Sequence, residues 1–300
     1  QRQMCIRDRE KIMNLLKKST LALGLFIGLA GFTGCGSNNN ESSDQATDTK
    51  VEETSDADPI KIGVVGEKNE VWEEVIKRYE QGTGKKAELV RFTDYTQPNE
   101  ALASGDIDVN SFQHYLFLSE YNKEQGDEKL VAIGDTMLAP IGFFSNQIES
   151  LDDLEDGAKV ATPNDPTNGP RALFLLQEEG LIKVNGEPGD LITVDDIEEN
   201  LKSLEFIEMD AAQTARALDD VAIAAVNDNY ALDAGLSPTE DSISLEDPHG
   251  TDTKIYVNVI AARKEDEDNE DYKELVKYYQ TEETKKDYEK YTNGAWVPAW

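Results

Sequence analysis

Two stretches of the chain gather side chains suited to holding a small polar molecule. The first is Asn164-Asp165-Pro166-Thr167-Asn168-Gly169-Pro170-Arg171. Pro166 and the Asn168-Gly169 pair have turn chemistry. Pro170 suits the first helical position, where its missing N–H would be unpaired in any case. The run Ala172–Glu179 is helix-forming and stops at Gly180. Arg171 is therefore expected at a helix N-terminus, where backbone N–H groups and the helix dipole favour an anion. A guanidinium there can fork a carboxylate; the bland alternative is a solvated surface arginine.

The second stretch is Ser111-Phe112-Gln113-His114-Tyr115, placed directly after an expected strand over Asp106–Asn110. A histidine among aromatic residues at a strand end could be a general base, a metal ligand, a binding contact or a buried structural residue. The chain has only two histidines, His114 and His249, with no H-x-x-x-H spacing and no cysteine nearby, which argues against a metal site. No serine or cysteine occupies a G-x-S-x-G nucleophile elbow. Tyr95 follows the alternating run Ala87–Phe92, at the strand edge where open α/β sheets bind ligands. Asn227 ends the apolar run Val221–Val226 and could simply cap the next helix. Asn258 interrupts the apolar run Lys254–Ala261; it needs partners unless it faces solvent on an edge strand.

The elements that would position these residues read as an α/β chain. Pro59–Gly66 is β-rich. Val71–Tyr79 carries apolar residues at helical spacing, and Pro98–Gly105 reads as a short capped helix. The Gly63/Gly66 pair lacks the third glycine of a dinucleotide fingerprint. Leu130–Gly134 and Met137–Phe144 read as two strands with a turn between, passing from one lobe to the next. Lys159–Thr162, Leu204–Met209 and Val221–Val226 are further strands, 181–187 a polar hairpin-like excursion, and Thr193–Asn200 and Ala211–Leu218 helices. The acidic run Glu265–Asp271 lacks the glycine and spacing of an EF-hand loop. It opens a final helix with Tyr272, Leu275, Val276 and Tyr279 on one face.

Charge and cysteine content narrow the function classes. The net charge is −32, and the first 34 residues carry six basic against two acidic side chains. Such a chain repels nucleic acid, so no nucleic-acid partner is expected. Cys5 and Cys35 are the only cysteines, so the body can hold neither a disulfide framework nor a cysteine metal site. Residues 13–34 read as a secretory signal: Lys17-Lys18 precede an apolar stretch, Leu21–Phe32, that is short for a membrane span. Residues 1–12 do not fit a signal, and Met13 is expected as the native start. Phe32-Thr33-Gly34-Cys35 resembles a bacterial lipobox, with Phe32 in place of the usual leucine, making Cys35 the expected lipidation site. Residues 35–58 are polar and read as a disordered tether.

Several motifs, in this order, resemble the NlpA-type methionine-binding lipoproteins, the substrate-binding subunits of methionine ABC importers. They are Asp94-Tyr95, Pro98–Leu102, Gly105–Asp108, Phe112-Gln113-His114, Asn164–Asn168 through Arg171, Asn227 and Tyr256-Val257-Asn258. The resemblance runs from about Ile60 to the C-terminus. It implies a two-lobed, periplasmic-binding-protein-like α/β fold, each lobe a mixed β-sheet flanked by helices, closing about a hinge. Lobe 1 would span 59–140, lobe 2 141–254, and 255–300 would return to lobe 1. It implies that Arg171 holds an amino acid carboxylate, that Asn168, Asn227 and Asn258 take its amino and carboxylate groups, and that Tyr95, Phe112 and His114 line the side-chain pocket. Charge-assisted hydrogen bonds contribute roughly 1.5–3 kcal/mol each, and thioether–aromatic contacts roughly 0.3–1.5 kcal/mol. The implied protein is not an enzyme and needs no cofactor or metal. It is a monomeric receptor outside the cytoplasm, held to the cell membrane by palmitate-type acylation at Cys35, and it delivers methionine to an ABC permease and its ATPase. Another small amino acid or a methionine dipeptide is the alternative ligand; an enzyme on the same fold is the alternative class.

Overall fold

A computed structural model describes residues 58–250 and 253–300. The expected leader, Cys35 and the tether as far as residue 57 lie outside the described residues. Two sheets organise the rest. In the first, β1 (Ile60–Val65) pairs in parallel with β2 (Ala87–Phe92) and β3 (Val109–His114). β3 pairs antiparallel with β12 (Val257–Arg263), β12 with β4 (Leu130–Leu138), and β4 with β13 (Val297–Pro298). The second sheet has the order β11-β5-β10-β6-β9. Its strands are β5 (Ile141–Phe144), β6 (Lys159–Pro163), β9 (Glu205–Met209), β10 (Ile223–Asn227) and β11 (Ser244–Leu245). β6 is parallel to β9 and β10, while β5 is antiparallel to β10 and β11. The chain passes from the first sheet to the second at Ala139-Pro140 and back between Leu245 and Val257.

Each sheet buries both faces. On one face of the first sheet, α1 (Glu70–Thr83), α8 (Glu270–Tyr279) and α9 (Glu282–Thr292) deliver Trp72, Val75, Tyr79, Leu275, Tyr279 and Tyr288. The expected stripe Tyr272, Leu275, Val276, Tyr279 is buried in that core. On the other face α2 (Gln97–Ser104) and α3 (Tyr115–Gln125) pack through Leu102 and Leu118. Against the second sheet, α4 (Asn168–Glu178) buries Leu173, Phe174, Leu175 and Leu176, each side chain contributing roughly 1.5–3 kcal/mol of transfer free energy. A third cluster joins the two sheets: Val65 packs with Phe144, Ala161, Val226 and Tyr230, and Phe92, Tyr95 and Phe112 lean on it.

Several expectations shift in register. The strand expected over Asp106–Asn110 is β3, Val109–His114, so Phe-Gln-His lies inside the strand rather than after it. Gln113 can enter because its amide closes a buried triangle with Asn99 and Asn110 at 2.6–3.0 Å. The helix α3 was not expected; its N-cap is His114, whose Nδ1 accepts from Phe117 N–H at 3.1 Å. Leu130–Leu138 is one strand, and the break falls at Pro140, which has no N–H for a ladder. Thr193–Asn200 is a single 3-10 turn with a Thr193–Asp196 capping box, then β8 (Ile197–Asn200) paired with β7 (Ile182–Val184). Ala211–Leu218 divides into α5 (Ala211–Thr214) and a 3-10 turn. Asn258 lies on β12, between β3 and β4, so it is on an inner strand and not an edge.

Candidate ligand-binding site

The opening loop builds the first wall from its own carboxylate. Asp165 Oδ1 accepts from the backbone N–H of Thr167 at 3.2 Å and of Asn168 at 2.8 Å. That closes the turn and starts α4 at Asn168, so Pro170 is the third helical residue, still in the first turn where N–H groups lack intrahelical partners. Gly169 is needed at this point: a Cβ there would meet the Pro163 carbonyl oxygen at 2.9 Å. Arg171 is buried with 3% exposure, so it is not a surface arginine.

A cavity of about 720 Å³, mouth included, lies where β1, β3 and β10 end and the loops after β2 and β6 begin. Tyr95, Phe112, His114, Asn168, Arg171, Asn227 and Asn258 all line it. The structure therefore brings together all seven residues singled out in the sequence, from both sheets. Asn258 faces His114 directly across the β12–β3 ladder.

Hydrogen bonds decide what each residue has left to offer. Of the five N–H donors of Arg171, Nε donates to Glu246 Oε1 at 3.2 Å and Nη2 to Glu246 Oε2 and the Ala139 carbonyl, while Nη1 donates to Asn168 Oδ1 at 3.2 Å. One Nη1–H remains uncommitted among the described residues. Tyr256 stacks beneath, 4.7 Å from the guanidinium carbon. Burial opposes the charge of Arg171, but Glu246, Tyr256 and Tyr95 more than offset it and hold its pKa above the ordinary value. Asn168 is fully engaged: Oδ1 also accepts from Asn227 Nδ2 at 3.0 Å, and Nδ2 donates to Asp165.

Burial, then the nearby Arg171 charge, lower the His114 pKa to about 3. The imidazole is neutral, and because Nδ1 accepts from Phe117, its proton is on Nε2. That Nε2 is buried with no hydrogen bond completed. Tyr95 donates to Asn229 Oδ1 at 2.5 Å, leaving Asn229 Nδ2 unpaired. Tyr95, Phe112 and Phe117 form an aromatic wall with ring centroids 5.7–6.1 Å apart. Such a wall suits an apolar or thioether side chain, and the leftover donors suit a carboxylate.

The NlpA lipoprotein family model matches residues 60–300. The chain belongs to the NlpA lipoprotein family. Among relatives, this NlpA lipoprotein is 42% identical to the D-methionine-binding lipoprotein MetQ of Escherichia coli K12 over 286 residues, covering 94% of this chain and 98% of that one. It is similar to the solved structure of a nutrient-binding protein from Burkholderia cenocepacia bound to methionine, at 46% identity and a TM-score of 0.76, covering 80% of this chain and 100% of that one. The substrate-binding protein of a methionine transporter from Streptococcus pneumoniae matches at 38% identity and a TM-score of 0.75, covering 81% of this chain and 96% of that one.

Sequence reasoning missed Asp228, Asn229, Glu246 and Trp296 of this NlpA lipoprotein. Asp228, Asn229 and Trp296 line the cavity and Glu246 clamps Arg171. Asn227-Asp228-Asn229 was a visible polar cluster closing an apolar strand, and that signal pointed to more than the first asparagine. Nothing local marked Glu246, which lies 75 residues from Arg171.

Proposed function

We propose that this protein is an extracytoplasmic receptor that captures methionine in the cavity and delivers it to an ABC permease driven by an ATPase. One observation supports this reading most strongly. An aromatic wall and a set of unpaired amide, guanidinium and imidazole donors border one cavity between two sheets. A neutral His114 without a catalytic partner favours a contact over a general base. The ligand carboxylate takes the remaining Arg171 Nη1–H, Asn229 Nδ2 and His114 Nε2–H, and the side chain lies against Tyr95 and Phe112. Asn168, fully engaged, positions Arg171 and Asn227, while Asn258 supports His114 from the adjacent strand. Residues 59–140 with 255–300, and 141–254, act as the two jaws. The receptor is a monomer, with a lipid on Cys35 holding it to the cell membrane.

Calorimetry of the purified protein, stripped of bound ligand, against both enantiomers of methionine, other amino acids and methionine dipeptides tests the reading. Methionine is expected to bind, and Arg171→Ala to weaken it by about 2 kcal/mol or more, some thirtyfold. No heat with any methionine compound would sink the assignment.

A further inference from the structure

The cavity also holds a buried acid that the assignment above does not use. Asp228 opens α6 (Asp228–Asp233) and is 2% exposed. Neither of its oxygens completes a hydrogen bond among the described residues. The Trp296 indole faces it, but its Nε1–H also completes none. The Asn227 Oδ1 beside it is buried and accepts nothing, because the Asn227 Nδ2 is turned to Asn168. Three acceptor oxygens thus border the cavity without a donor. Buried acceptors are costly unless something arrives to pair them.

We propose that Asp228, with Asn227 Oδ1, is the counter-ion that receives the ligand's ammonium group and gives up a proton to solvent as it does so. This rests on the receptor reading and adds to it the group that recognises the amine. Leftover donors (Arg171 Nη1, His114 Nε2, Asn229 Nδ2) and leftover acceptors (Asp228, Asn227 Oδ1) both belong to residues of the cavity wall, as a zwitterion requires. The step balances: the Asp228 carboxyl becomes a carboxylate, one proton leaves to water, and the ammonium keeps its own. Burial raises the Asp228 pKa to about 8, with Trp296 and Arg171 offsetting only part. The free protein at neutral pH therefore holds this carboxyl mostly protonated. The other titratable groups on the cavity wall are Lys68, Tyr95, His114, Arg171 and Tyr279. Lys68 is exposed, and Arg171 is held by Glu246.

Calorimetry in buffers of differing ionisation enthalpy reads the proton directly. At pH 7 the wild type is expected to release close to one proton per methionine, and its affinity to rise roughly tenfold from pH 6 to pH 7. Asp228→Asn is expected to abolish the release and weaken methionine at least tenfold. It should bind 4-(methylsulfanyl)butanoate, which lacks the amine, as well as the wild type does, and that binding also verifies its fold. Methionine affinity in Asp228→Asn within twofold of wild type, or wild-type binding with no proton release and no pH dependence, would overturn the role of Asp228 while leaving the receptor reading standing. Absence of methionine binding by the wild type would instead remove the receptor reading, and this inference with it.

Discussion

At the scale of single residues, two buried titratable groups in the cavity pull stability in opposite directions with pH. Burial and Arg171 lower His114 from 6.5 to about 3. Between those values the unfolded chain binds a proton that the folded chain refuses, so His114 withdraws stability as pH falls below about 6.5. Asp228 is raised from 3.8 to about 8. Here the folded chain keeps a proton that the unfolded chain releases, so its contribution is present at low pH and lost as pH rises through that window. The slopes, each at most about 1.4 kcal/mol per pH unit, oppose one another between about pH 4 and 6.5. Within that overlap, urea unfolding is therefore expected to show each only when the other is removed, whereas between about pH 6.5 and 8 the wild type shows the Asp228 slope alone. His114→Gln should leave stability falling with rising pH, and Asp228→Asn should leave it falling with decreasing pH. Parallel profiles for the two variants would contradict both assignments.

At the scale of elements, the strand ends do the positioning, and Asp233 on α6 ties the loop after β1 to the helix that follows β10. Its carboxylate accepts from the backbone N–H of Glu67 at 3.0 Å and of Lys68 at 2.9 Å, in the loop after β1. Gly66, with φ of 88°, makes room for it: a Cβ there would meet Asp233 Oδ2 at 2.5 Å. Each glycine of the Gly63/Gly66 pair that fails as a dinucleotide fingerprint thus serves its own close approach, Gly66 to Asp233 and Gly63 to Ile107. Asp233→Ala removes charge-assisted bonds and is expected to weaken methionine binding severalfold by loosening the loop that carries Lys68 and Asn69 to the cavity wall, with little change in the thermal midpoint. Unchanged affinity would mean that the bridge does not contribute to the site. Glu246 is a comparable tie: its backbone N–H donates to Ile141 at 3.0 Å while its carboxylate holds Arg171.

At the scale of the whole molecule, the two sheets share an apolar cluster and a polar cavity, and the chain passes between them twice. In the proposed receptor the ligand acts on the relation between the sheets, because its two ends meet residues from both. The acidic body and the Cys35 motif complete the proposed receptor. A body with this excess of negative charge gains little from anionic lipid surfaces, so its membrane attachment is expected to depend on Cys35. Cys35→Ser should release the protein from membranes in fractionation; full retention would contradict the anchor.

The sequence by itself determined the α/β class, the neighbourhood of most strands and helices, and seven of the residues that line the cavity. It could do so because period, caps and motif order are local properties. Tertiary structure decided three other matters. It turned Phe112-Gln113-His114 into an inner strand, since Gln113 finds its partners on Asn99, on the preceding helix, and on Asn110 of its own strand. It placed Asn258 between two strands, which the pairing order alone settles. It also changed the expected grip of Arg171–Asn168. An arginine free to fork a ligand is instead forked by Glu246, with one N–H to spare. The physical reason is common to all three: where a polar side chain ends up, and what it has left to offer, depends on which groups the fold brings beside it, and no local pattern records that.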